Sequence, residues 1–137
     1  MRASGSAGYM AQPITAAAFA LLASACASAW SAPAGDESRS ALEKGRTIFL
    51  ARCALCHGPE ADGNGQMARL LDPRPADLQH SVLTDAQRND IVRHGGAAMG
   101  RSAAMPRWEV ELEEEQLSNV IAFVATVSAR GNARTAP

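Results

Sequence analysis

The sequence predicts an all-α domain. Three stretches repeat apolar residues at helical spacing, and no stretch alternates as a half-buried strand would. A third observation sets the architecture. The run from Gly58 to Gln79 (GPEADGNGQMARLLDPRPADLQ) carries three glycines and three prolines, so one long loop follows the first helix. A loop of more than ~15 residues inside a compact domain needs a reason to exist, and wrapping a bound group is one.

The first helix is expected over about 38–55, where Leu42, Gly45, Phe49 and Arg52/Cys53 share one face with Ile48 beside them. Gly45 costs about 0.8–1 kcal/mol relative to Ala in a helix, so its presence points to a close backbone approach. The second runs from Thr84 to His94, capped by a Thr84-x-x-Gln87 box and stopped by Gly95-Gly96. The third runs from Glu113 to Ala129, with Leu117, Val120, Ile121, Val124 and Val127 as its apolar stripe. Glu113, Glu114 and Glu115 occupy its first turn, where the helix dipole favours negative charge.

At 137 residues the chain has room for one small domain. Arg2, the apolar run Ile14–Ala27 and the small-x-small triplet Ala27-Ser28-Ala29 read as an export signal cleaved after Ala29. The run falls short of the roughly 20 residues a membrane span needs, so no span is expected after cleavage. Cys26 follows Leu22-Ala23-Ser24-Ala25, a degraded lipoprotein box, and a lipid anchor there is the alternative. The expected organisation is signal 1–29, flexible lead-in 30–37, domain 38–130 and flexible tail 131–137. Removing the signal leaves 12 basic against 14 acidic residues, a balance that gives no reason to expect nucleic acid. About a hundred residues with few aromatics make a marginal core, which a large apolar cofactor would complete.

Cys53-Ala54-Leu55-Cys56-His57 is a C-x-x-C-H sequence, the pattern of covalent haem c attachment. Two thiols at this spacing can add to the two vinyl groups of one porphyrin, and the adjacent histidine then supplies an imidazole to the iron. Its second ring nitrogen should donate to a backbone carbonyl, fixing the ring. Zinc would want a second Cys or His pair, and Cys26 in the signal is the one other cysteine. A thioredoxin-like dithiol would want strands. A Cys53–Cys56 disulfide is the bland alternative in an exported protein. For the sixth iron position the candidates are Met67, Met99, Met105, His80 and His94. Met105 leads because Pro106 stiffens the chain beside it and its loop can close over the opposite face. Met99, in the stretch Gly95–Gly100, is second. The two histidines read as surface or cap residues.

These pieces resemble the small monohaem cytochromes c of bacteria over nearly the whole processed chain. The resemblance runs through Gly45-Arg46-x-Ile48-Phe49, CALCHG, DGNG and PRPADL, then Ile91-Val92-x-x-Gly95 and Met105-Pro106-x-Trp108. It implies the cytochrome c fold, three main helices and a long loop around one covalent haem. It implies that Gly45 and Phe49 meet Phe123 where the first and last helices cross. It also implies that Pro73 or Pro75 offers the carbonyl for the haem histidine, that Trp108 packs near the haem edge and that Arg74 meets a haem propionate. The family opens its last helix with Leu then Ser or Thr, whereas this chain has Leu112-Glu113.

The function expected is periplasmic electron transfer, with no catalysis of its own. The protein would be a free shuttle or the cytochrome subunit of a dehydrogenase or oxidase, its partners being those redox proteins or another cytochrome. A haem sensor or peroxidase-like enzyme is the alternative and requires an open sixth position. A thiol-redox protein is the reading that survives if no haem is attached.

Overall fold

The computed structural model describes residues 34–136. The signal, Cys26 and the predicted cleavage site lie outside the described residues. Four α-helices follow one another: α1 Ala34–Arg52, the single turn α2 Ala54–His57, α3 Asp85–Ala98 and α4 Glu114–Thr135. Short 3-10 turns at Ala68–Leu70 and Trp108–Val110 punctuate the connections, and no strand forms among the described residues. None of these helices is long and apolar enough to cross a membrane.

The frame is the crossing of α1 and α4. Gly45 sits at the contact, where any Cβ would overlap the Asn119 carbonyl and press on Phe123. The helix penalty of this glycine is offset by what the missing side chain lets α4 do. One turn on, Phe49 is fully buried and meets Phe123 with ring centroids 5.4 Å apart at 49°, a tilted geometry that suits the ring quadrupoles. Leu117, Val120 and Val124 of the predicted stripe join Phe49 in the core, with Ile121 and Val127 packed against its edge.

The capping box predicted for the second helix holds, and the last helix has an unpredicted one. Thr84 accepts from Gln87 N–H at 3.2 Å while Gln87 Oε1 accepts from Thr84 N–H at 3.0 Å. In α4, Glu113 takes the place of the expected Ser or Thr and forms a capping box with Gln116, its own N–H donating to Gln116 Oε1 at 3.0 Å. The cap is therefore intact despite the unusual residue.

Three boundaries differ from expectation. Residues 34–37, read as lead-in, are already helical, with Asp36 and Glu37 in the first turn where the dipole favours them. The regular run of α1 stops at Arg52 rather than 55, and Cys53 forms a turn before α2. At the other end α4 continues through 131–135, read as tail. Tertiary contacts hold it: Gly131 packs on the Gln79 carbonyl, Asn132 Nδ2 donates to Ser81 O at 3.2 Å, and an Arg134 Nη2 donates to Gln79 Oε1 at 2.9 Å. The α3 boundary is close to prediction. Regular geometry ends at Gly95 (φ 81°, ψ 170°), and a last short turn follows the kink.

Candidate functional site

α1, α3, α4 and the long loop enclose a cleft of about 480 Å³, of the size that holds cofactors. Its lining includes Phe49, Val92, Leu112, Val120 and Val124, the same residues that form the core. The cleft is thus lined by the core of the domain.

One wall is built by the C-x-x-C-H sequence. Backbone hydrogen bonds run on past the end of α1: Cys53 N–H donates to Phe49 O at 2.8 Å and His57 N–H to Cys53 O at 2.9 Å. Helical geometry at i, i+3 and i+4 then puts Cys53, Cys56 and His57 on one face, and all three line the cleft. Both cysteines are free thiols, so the disulfide alternative is not what the structure holds. Burial first, and the neighbouring Cys56 second, push the Cys53 thiol up to about 12. A thiol held neutral in this way is a poor redox nucleophile, which weighs against the thiol-redox alternative.

His57 is oriented as an iron ligand would be. Its Nδ1 donates to a loop carbonyl at 3.0 Å, which leaves Nε2 as the nitrogen with a free lone pair. Burial lowers its pKa, partly opposed by that carbonyl, so the ring is neutral at pH 7. The carbonyl belongs to Ala76, not to Pro73 or Pro75 as the resemblance implied. The reason is local: the Pro75 carbonyl is turned towards Gly63, where a Cβ would crowd it, and the next peptide faces the imidazole. Gly63 in turn donates its N–H to His57 O at 2.9 Å, and Gly65 donates to Cys56 O at 3.1 Å. The long loop is laced to the very turn it supports.

Met105 and Trp108, on the segment that follows α3, are both half-buried and also line the cleft. Met105 is held by its backbone, its carbonyl accepting from Gly96 N–H at 3.1 Å. That approach needs Gly95 at positive φ and no side chain on either glycine, since a Cβ would strike Met105 O or Ser102 O. Of the three methionines among the described residues, Met105 alone lines the cleft; Met67 and Met99 are each 36% exposed elsewhere. His94 lies off the cleft beside Glu109 Oε2 at 3.0 Å. His80 is on the rim, 2.8 Å from Asp77 Oδ2. Arg74 is exposed on the rim and donates to Asn64 Oδ1 at 3.3 Å.

Two residues of this site are not flagged by the sequence. Ala76 acts through its main chain, which no side-chain pattern reveals. Arg88 is buried on the cleft, although Asp85 three residues earlier makes it look like half of a solvent-facing helix pair.

The sequence profile of the cytochrome c family matches residues 42–128. The chain belongs to the cytochrome c family. Two thiols, an imidazole and a thioether lining one largely apolar cleft fit the covalent haem c that this family carries. Cytochrome c-554(547) of Halothiobacillus neapolitanus is 26% identical over 84 residues, covering 61% of this chain and 92% of that protein. The CcoP subunit of a cbb3-type cytochrome c oxidase from Azospirillum brasilense is 26% identical over 85 residues, 62% of this chain but 28% of the subunit. Among solved structures, a reducing HAO-like protein complex of Kuenenia stuttgartiensis is similar at a TM-score of 0.53 and 25% identity. That match covers 62% of this chain and 41% of the other.

Proposed function

We propose that this cytochrome c is a periplasmic one-electron carrier whose single haem is joined to Cys53 and Cys56 and ligated by His57 and Met105. The observation that supports the reading is the composition of the cleft lining: two thiols and an imidazole from one turn, and a thioether from the segment after α3. The haem, when bound, supplies the redox chemistry. The chain's own residues bind it, orient it and keep water from it. Ala76 O holds the His57 ring so that Nε2 is presented to the cleft. A thioether as the second axial ligand favours a higher reduction potential than a second imidazole would. A filled sixth position suits a carrier and not a sensor or peroxidase. The likeness over 92% of the length of cytochrome c-554(547) favours a free shuttle, and that to part of an oxidase subunit favours a redox-subunit role. Both have redox proteins as partners.

The test is spectroscopic. Protein produced with its residues 1–29 in an export-competent, haem-attaching host should retain its colour through acid–acetone extraction. Its ferric form should show the weak far-red band of sulfur-to-iron ligation. Extractable haem would sink the covalent assignment, and a missing band the Met105 assignment. Amino-terminal sequencing of the same material should begin at Trp30, whereas an acylated Cys26 would establish the lipid anchor.

A further inference from the structure

Among the described residues Arg88 is the one buried charged residue of the cleft lining, its side chain 8% exposed. A cation out of water costs several kcal/mol unless its charge is answered. The partners it has do little of that. Nη1 donates to Asp85 Oδ1, but the Asp85 side chain is 97% exposed and its charge is largely answered by water. Nη2 donates to the Leu83 carbonyl at 3.0 Å, a neutral group. Two of the five N–H donors of the guanidinium are thereby engaged, and Nε has no partner among the described residues. Arg52, Arg74 and Arg101 also line the cleft, but all three are exposed and hydrated. Asp77, the acidic residue on the lining, is occupied by His80 and by Gln79 N–H at 2.8 Å. Among the described residues, therefore, no carboxylate reaches this buried guanidinium from the cleft side.

We propose that Arg88 is the buried counter-charge for one propionate carboxylate of the haem, donating a free terminal N–H to it. This rests on the haem reading given above. Filling the cleft expels water, so the lower dielectric strengthens the attraction as it raises the cost of leaving either charge alone. Asp85 and Leu83 O then have a second purpose, since they fix the plane of the guanidinium from behind.

The test uses haem-loaded protein. Arg88→Leu and Arg88→Lys are made beside the unsubstituted protein in a His80→Gln background, which removes the other imidazole near the lining. Reduction potential is followed between about pH 5 and 8, comparing preparations that carry one covalent haem and full helicity. With Arg88 present the potential should stay level. With Leu it should fall, because a nearby cation disfavours the more positive ferric state, and it should acquire a pH slope as the carboxylate protonates more readily. Lys should recover part of both effects. A Leu profile that overlays the parent overturns the proposal. If the Leu variant does not fold, NMR of the haem carboxyl carbons in unsubstituted protein decides. One carboxyl should remain ionised well below the ordinary carboxylate range, and two ordinary titrations overturn the assignment. Parent protein that carries no covalent haem would instead bring down the haem reading itself, and is recognised before any variant is compared.

Discussion

The two walls of the cleft are held in different ways. The His57 wall continues the hydrogen bonding of α1, and the loop that follows returns three N–H groups to it: Gly63 to His57 O, Gly65 to Cys56 O and Met67 to Leu55 O. The Met105 wall hangs from α3 by a Gly96–Met105 pair and by Arg101 N–H on Gly96 O, with exposed residues on most of the intervening stretch. Regions with few buried contacts and few protected hydrogen bonds open first. The histidine side is built as a fixed seat, and the methionine side as the part that yields.

The largest effect should come from emptying the seat. Phe49, Val92, Leu112, Val120 and Val124 face the cleft and form most of the core. A domain of this size has little stability to spare. Replacing Cys53 and Cys56 together by Ala should leave no covalent haem, with markedly reduced helicity and no cooperative melt by circular dichroism. A haem-free variant with native helicity and a sharp transition would show that the protein packs its core unaided.

Breaking the yielding wall should cost less stability and more function. Met105→Ala should abolish the far-red band, lower the reduction potential and admit small ligands to the iron, while the protein stays folded around haem still held at His57. Met99→Ala is the control. That side chain is 36% exposed and off the cleft, so its loss should change stability by no more than about 0.5 kcal/mol. In a denaturant titration of the unsubstituted protein, the band should vanish before helicity does. Coincident loss of the two signals would mean that both walls open together, and transfer of the band's loss to Met99→Ala would mean that the 99–105 segment is threaded differently.

The same contrast explains how much was legible in the sequence. The seat is written in local spacing: C-x-x-C-H fixes three side chains to one helical face, and Thr84-x-x-Gln87 fixes the start of α3. Gly45 was legible too: a glycine inside an amphipathic helix is costly, and the resemblance implied the crossing that explains it. What escaped was set by distant parts of the chain. Residues 131–135 look like a polar tail until the Gln79 and Ser81 groups that receive them are in place. Ala76 could not be distinguished from its proline neighbours, since orientation of a peptide plane depends on Gly63 across the loop. Arg88 has the sequence surroundings of a surface residue, and its burial on the cleft, with a bond to the Leu83 carbonyl, appears only in the fold.

The smallest effect concerns the brace beside the Ala76 carbonyl. Asp77 Oδ2 accepts from His80 Nδ1 and Oδ1 from Gln79 N–H, each at 2.8 Å, closing the turn that carries Ala76. The bond from His80 does most to lower the Asp77 pKa, and the Gln79 N–H adds to it. A carboxylate depressed in the folded state stabilises it above the ordinary Asp value, and that contribution is lost as pH falls through the depressed one. Because Asp77 is exposed, the contribution is screened and amounts to less than about 1 kcal/mol at neutral pH. Asp77→Asn should therefore lower stability slightly at pH 7, less so in high salt, and the difference from the unsubstituted protein should shrink from about pH 5 downwards. The far-red band should persist, because the methionine wall is untouched. A loss that grows towards acid pH would reverse the sign of this argument. An altered reduction potential in Asp77→Asn would show that the turn transmits strain to the His57 ring, and that the seat is less fixed than its hydrogen bonds imply.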